Sequence, residues 1–400
     1  MSENEVCPLR FPPPRESVFG PLSAADELRR RPVTRVELPT GQPAWLISSH
    51  EQAKAVLADP RVSCDPTRPG APRMIADANA PRHMPGFFID HDPPEHTRLR
   101  RLVIPELSVR RVEAMRPVIQ RIVDDAVDGL LRTGPPANLV HDFAFPVPCA
   151  VMGELLGVPP ADFPYFRERT AALVDTHSGS ERRRIAFAEI HAYFDRLAGD
   201  FRKHPADNLL SRLAAAERAV GIGHDEVVGM AVLLLIAGFE TTASMIALGA
   251  AALLGFPEQR AAVCAAAGSF PEASEEMLRF FSNANLELGG RTALADLDIA
   301  GETIRAGDAI VVNAWLANHD PAAYERPEAF DVRRGDRRHL AFGHGAHQCV
   351  GQNLARVEME IALRALFTRL PRVRLGVPVA ELRANTSAAM FGLDSLPVAW

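Results

Sequence analysis

Apolar residues recur every three to four positions through most of this chain, the spacing of helices with one buried face. The pattern predicts helices over 24–31, 51–58, 92–102, 112–131, 146–156, 161–174, 181–203, 208–216, 225–255, 272–281 and 352–370. Several ends carry punctuation. Asp92-Pro93-Pro94-Glu95 reads as an N-cap, a proline in the first turn and an acid three residues after the cap. Gly134, Gly157 and Pro159-Pro160 stop the helices before them. Alternating apolar residues over 33–38 and 44–47, around Pro39-Thr40-Gly41-Gln42, predict a β-hairpin. Short strands follow over 286–312, and the tail from 386 to 400 alternates enough for a second hairpin. The stretch 60–90 is rich in Pro, Gly and Ala without a period, a loop long enough to be functional. With no repeat and no break in composition, the expectation is one mainly α domain over 1–400 with a minor β region.

One segment departs from amphipathicity. Residues 229–256 hold a single charge, Glu240, in 28 positions, enough to span a bilayer. A membrane span is rejected because a mid-bilayer carboxylate is costly and the flanks lack a positive bias and an aromatic belt. A helix apolar on every side is also what the centre of a large core requires. The net charge of −6 argues against nucleic acid or an anionic membrane as partner. Five scattered cysteines form neither a CxxC pair nor a disulfide framework, and the polar, acidic opening residues predict no secretory signal. A cytoplasmic location and a monomeric state are expected.

Four clusters carry candidate chemistry. Phe342–Gly351 holds three glycines, carries Cys349 near its end and is followed directly by a helix, whose N-terminal N–H groups favour an anionic sulfur. A metal ligand, a nucleophile and a buried structural cysteine are all compatible with that loop. Inside the apolar helix, Ala237-Gly238-Phe239-Glu240-Thr241-Thr242 combines a buried acid, a glycine and two β-branched hydroxyl residues. This reads either as a satisfied polar spot in a core helix or as a distorted turn on a cavity, with Gly238 making room for a ligand. Glu276 and Arg279 share a helix face and pair at i, i+3, with Arg334 as a third partner. His96 and Arg100 also share a face and suit a carboxylate or phosphate; Arg291 and His347 are further lone donors.

In order and spacing, these clusters resemble the cytochrome P450 family of haem-thiolate monooxygenases. The family's F-G-x-G-x-H-x-C-x-G loop is matched from Phe342 to Gly351, its A-G-x-[DE]-T-T helix from Ala237 to Thr242, its E-x-x-R by Glu276 and Arg279, and its D-P-P-E-H-T-x-x-R segment from Asp92 to Arg100. The likeness runs from the Trp45 hairpin to the last residues and is greatest to soluble actinobacterial enzymes that hydroxylate macrolides, sterol-like compounds and other secondary metabolites. It implies a mainly helical fold with a long central helix over a buried haem b (iron protoporphyrin IX). Cys349 would be the axial iron ligand. His96, Arg100, Arg291, His347 and, more weakly, His339 would hold the propionates. Glu240 and Thr241 would supply protons during dioxygen activation, and Glu276, Arg279 and Arg334 would form a structural triad.

The same resemblance implies insertion of one oxygen atom from O₂ into a C–H bond of a hydrophobic small molecule. Electrons would come from a ferredoxin and its ferredoxin reductase, with Arg101, Arg110, Arg111, Arg337, Arg338 and Arg356 on the docking side. Phe88, Leu234, Ala237, Asn285, Glu287 and Phe391 would line the substrate pocket. The run from Ser282 to Glu287 is polar where the family is more apolar, which points to Asn285 or Glu287 meeting a polar or amine-bearing substrate. Epoxidation, oxidative coupling or peroxide-driven oxidation at the same site are the neighbouring readings. A non-catalytic haem-binding recruitment protein is the reading from another class, and it has little use for Glu240 and Thr241.

Overall fold

The computed structural model describes residues 9–15, 17–74, 83–174, 178–265, 268–284, 290–385 and 390–400. Strand β1 (Leu9–Arg10), helix α1 (Ala25–Arg29), strands β2 (Val33–Glu37) and β3 (Pro43–Ile47), helix α2 (His50–Ala58) and strand β4 (Val62–Ser63) open the chain. Helices α3 (Glu95–Val103) and α4 (Val109–Thr133), strand β5 (Ala137–Asn138), then α5 (Pro146–Leu156), α6 (Phe163–Val174), α7 (Ser180–Lys203) and α8 (Leu209–Val220) lead into α9 (His224–Gly255). After it come α10 (Pro257–Ala265), α11 (Phe270–Phe281), strands β6 (Arg291–Ala293), β7 (Leu297–Ile299), β8 (Glu302–Ile304) and β9 (Ala309–Val312), α12 (Ala314–Asn318), α13 (Gln352–Arg369), β10 (Arg374–Leu375) and β11 (Pro397–Ala399).

The architecture is mainly helical with a minor β region. Helix α9 is its axis and packs on α5, α7, α8, α10, α11 and α13. Its most apolar stretch is 78% buried in the protein, which accounts for the lack of a polar face. The β2–β3 hairpin is the expected one, with Trp45 opposite Arg35. It joins a sheet of order β1-β2-β3-β9-β6-β4, so the strand region after α11 completes the sheet begun near the N-terminus. The tail pairs back on itself at its start, where Ala384 lies antiparallel to Leu393, while its last strand, β11, sits between β10 and β5. One expectation is corrected. Asp92 does not cap α3; its carboxylate accepts from Ser63 Oγ at 2.5 Å and from the Cys64 N–H at 3.0 Å, holding the long loop instead. Helices α10 and α12 were not expected from the pattern.

The Glu276–Arg279 pair lies on α11 and is fully buried, 0% exposed on both sides. Arg279 donates to both carboxylate oxygens at 2.7 and 2.8 Å, and to the carbonyls of Asn318, Pro327 and Ala329. Arg334 Nε lies 3.2 Å from Glu276 Oε2, and the Asp331 N–H donates to Oε1 at 3.0 Å. A buried pair this well satisfied is costly to break from one side, because the remaining charge loses every compensating bond. Arg279→Met should therefore lower the unfolding free energy by about 3–5 kcal/mol. Arg305→Met, which removes the exposed pair with Asp296, should change it by less than about 1 kcal/mol. Urea unfolding of both variants measures this, and equal effects would contradict the assignment of Arg279 as a structural centre.

Candidate functional site

One cavity runs between α9 and the loop before α13. Cys349, Phe342, His347 and Gly351 form one wall; Leu233, Leu234, Ala237, Gly238, Thr241 and Thr242 form the opposite one. Phe88, Ile89, Met152 and Leu155 close the apolar end, and Arg100 and Arg291 reach in from the side. The cysteine loop is held by the Cys349 N–H donating to the Phe342 carbonyl at 2.8 Å. Gly345 has φ +73°, and a Cβ there would come within 2.3 Å of the Leu57 carbonyl oxygen. Only glycine lets the loop pass this close to α2.

Across the cavity the helix surface changes character. Ala237 is exposed within an otherwise buried helix, opposite the loop, while Glu240 is 6% exposed. Thr241 Oγ1 donates to the Ala237 carbonyl at 2.9 Å, and Thr242 Oγ1 donates to the Gly238 carbonyl at 3.2 Å. These back-bonds return each hydroxyl to its own helix turn. Gly238 lines the cavity, and a Cβ there would lie 2.6 Å from Met152 Sδ, so the glycine also admits a side chain of α5.

The basic residues gather beside the cysteine loop. The rings of His96 and His347 lie 4.0 Å apart, and both nitrogens of His96 are buried with no hydrogen-bond partner among the described residues. Arg100 donates to the Gln348 carbonyl, and His347 Nε2 lies 3.1 Å from Cys64 Sγ. Burial, then the neighbouring Arg100, drives His96 down to about 4; burial also lowers Arg100 and Arg291. Four donors taken from water with buried nitrogen left over fit an anionic group such as paired carboxylates. With a thiol on the adjacent wall, the donor set fits a haem, which Cys349 would ligate and these side chains would hold.

Other expected site residues lie elsewhere. His339 is not in the cavity wall: it is buried behind the loop, with Nε2 2.9 Å from Glu275 Oε2. That carboxylate is also paired with Arg356 at 2.7 Å and lies 3.3 Å from Arg337, so His339 braces the loop from behind. Phe391 is not in the wall either; it is buried beneath the Arg15 guanidinium, 3.8 Å from its ring centre. Asn285 and Glu287 lie outside the described residues. Sequence reasoning missed Asn283, whose side chain lines the cavity and donates to the Thr241 carbonyl at 3.0 Å. The polar run at 282–287 was its signal.

Asp90 follows Phe88 and Ile89 and is pushed up to about 6 by burial, with Asp65 raising it further and His83 opposing. The folded state thus binds the Asp90 proton more tightly than the unfolded chain. Stability from this residue is lost as pH rises from about 4 to 6 and stays lost above that. Asp90→Asn should stabilise the protein by about 2 kcal/mol at pH 7.5. It should have little effect at pH 3.5, in urea unfolding at each pH. A gain that is the same at both would contradict this.

The comparisons agree with this geometry. The family model described as Cytochrome P450 matches residues 272–371, which span Glu276, Arg279 and the cysteine loop. Vitamin D3 dihydroxylase of Streptomyces griseolus is 42% identical, over 92% of this chain and 91% of that protein. The 20-oxo-5-O-mycaminosyltylactone 23-monooxygenase of Streptomyces fradiae is 42% identical, over 98% of this chain and 92% of that protein. The crystal structure of mycinamicin VIII C21 methyl hydroxylase of Micromonospora griseorubida, bound to mycinamicin VIII, superposes with TM-score 0.92 at 38% identity, covering 98% of this chain and 100% of that one. With a thiol facing a threonine-bearing helix turn and likeness over nearly its whole length to hydroxylases and monooxygenases, this chain is an enzyme of the cytochrome P450 monooxygenase family.

Proposed function

We propose that this enzyme inserts one oxygen atom from O₂ into a C–H bond of a hydrophobic secondary metabolite, with macrolides and secosteroids as the leading substrate classes. The observation that carries this is the cavity itself: one thiol on one wall, the Ala237–Thr241 turn on the other, and an apolar end walled by Phe88, Ile89, Leu233, Leu234, Met152 and Leu155. The substrate classes come from the relatives named above, whose names include vitamin D3, a tylactone and a mycinamicin.

A bound haem b supplies the dioxygen chemistry. Cys349 would ligate its iron as a thiolate, a ligand type that favours O–O cleavage. His96, Arg100, Arg291 and His347 would hold its propionates by charge-assisted bonds, which offset the burial of all six groups. On the opposite wall, the Thr241 hydroxyl can turn its proton from the Ala237 carbonyl into the cavity. Glu240, one residue earlier and buried, would replenish that proton. The apolar residues exclude bulk water, so protons reach the reacting centre through this pair. Electrons would come from a ferredoxin and its reductase; Arg101 and Arg110 are exposed near the cysteine side and suit an acidic partner. The chain is proposed to work as a single-domain monomer in the cytoplasm.

Two measurements test this reading. Vitamin D3 and mycinamicin VIII are each titrated into the ferric protein, and a shift toward the high-spin spectrum is expected with at least one of them. Turnover is then run with NADPH, a plant-type ferredoxin and its reductase under ¹⁸O₂. One labelled atom should appear in the product. Thr241→Ala should raise the hydrogen peroxide released per NADPH by about two-fold or more, because a lost proton donor leaves the O–O bond uncleaved. Product without label, or peroxide release unchanged in Thr241→Ala, would contradict it.

A further inference from the structure

A chain of buried polar groups crosses the protein from the cysteine loop to the Thr241 turn. It starts at Leu340, where the loop begins: its N–H donates to Asn318 Oδ1 at 2.7 Å. Asn318 Nδ2 donates to Ser282 Oγ at 2.8 Å, and Ser282 Oγ donates to the Arg279 carbonyl at 2.8 Å. Ser282 ends α11 in the left-handed region, with φ 43°, a conformation that costs energy for a residue with a Cβ. That turn redirects the backbone so that Asn283 faces α9. Asn283 Nδ2 then donates to the Thr241 carbonyl at 3.0 Å, and the Asn283 carbonyl accepts from the Phe391 N–H at 2.8 Å. Asn318, Ser282 and Asn283 are 0%, 1% and 6% exposed.

A helix carbonyl already accepts the N–H four residues on, and its second lone pair accepts another donor only from a fixed direction. The Asn283 amide takes that direction from outside the helix. It fixes the peptide plane that follows Thr241, and through the Thr241 Cα it fixes where Oγ1 sits between the Ala237 carbonyl and the cavity. The left-handed Ser282 and the Asn318 bond leave the amide little freedom to move. The bond is part-buried at the cavity wall, so water replaces it only incompletely when it is lost.

The geometry points to Asn283 as a positioning residue for proton delivery, acting through Thr241. It also joins that turn to Phe391 of the C-terminal segment. This inference rests on the proposed role of Thr241 as proton donor. Dioxygen that takes two electrons and two protons without O–O cleavage leaves as hydrogen peroxide. The same two electrons and two protons give one water and one oxygen atom in the product when both protons go to the oxygen that leaves; without substrate, two further electrons and two further protons turn the remaining oxygen atom into water as well. A displaced Thr241 hydroxyl shifts the balance toward peroxide.

The test is a double-mutant cycle on the haem-loaded full chain, reading hydrogen peroxide per NADPH with a plant-type ferredoxin and its reductase, without substrate. Asn283→Leu, close to isosteric, should raise the peroxide share by about two-fold, in the direction of Thr241→Ala. Asn283→Leu combined with Thr241→Ala should leak no more than Thr241→Ala alone, since a residue acting through Thr241 has nothing left to position. Asn283→Asp is the second variant, for the case in which Asn283→Leu fails to take up haem. Its carboxyl donates to the Thr241 carbonyl when protonated and repels it when ionised. Its leak should match wild type at about pH 5 and rise towards that of Thr241→Ala at about pH 8, a dependence that wild type lacks. A wild-type leak in Asn283→Leu, additive effects in the double variant, or a flat pH profile in Asn283→Asp would overturn the inference while leaving the Thr241 assignment intact. An unchanged leak in Thr241→Ala would overturn both.

Discussion

The fully buried pair of Glu276 and Arg279 is the interaction on which the rest of the site depends. Its energy matters less than its geometry. Arg279 donates to the Asn318 carbonyl, Asn318 receives the Leu340 N–H, and Leu340 opens the loop that ends in Cys349. The pair therefore sets the height from which the loop descends toward α9. A hydrophobic cluster of the same volume would fill the space but would not specify which carbonyls sit where. Glu275, one residue earlier, acts on the other side of the loop. It gathers His339 and Arg356, and Arg356 lies over the Phe342 ring at 4.5 Å. Adjacent acids on α11 thus hold the cysteine loop at its root and along its back.

Helices and their order were legible because period and punctuation agreed. Helix α5 was read to the residue, and α9 to within one, since glycine, proline and the change of hydropathy all fell together. The sheet was less legible. Hairpins are local, and β2–β3 was found; the pairing of β3 with β9 joins residues some 260 positions apart and leaves no trace in either segment. The tail was legible in part for the same reason: Ala384 meets Leu393 locally, but β11 takes β5 as a partner from far earlier in the chain. Asp92 shows a subtler limit. A capping pattern was present, but Ser63 and Cys64 compete for the same carboxylate, and only the fold brings them near.

The site divides in the same way. Cys349, Arg100, Arg291 and His347 were named from motifs and come to one cavity with Thr241, Ala237, Leu234 and Phe88. His339 was named, more weakly, from the family resemblance, but a buried acid on α11 claims its ring. Gly238 was read as space for a ligand; it lines the cavity, and its missing Cβ also seats Met152 of α5. Asn283 was passed over because a single asparagine in a polar run carries no signal of what it bonds. Polar residues that bond a backbone carbonyl across the core are invisible to pattern, since the acceptor exists at every position.

Everything chemical in this account rests on Cys349 as a thiolate bound to haem iron. The most direct measurement is the carbon monoxide difference spectrum of the reduced, haem-loaded protein, freshly prepared, alongside Cys349→Ser. The account predicts a Soret band at the red-shifted position that a thiolate ligand gives, lost in Cys349→Ser. A band at the position of a neutral nitrogen ligand in the native protein, or a red-shifted band that survives Cys349→Ser, would contradict it.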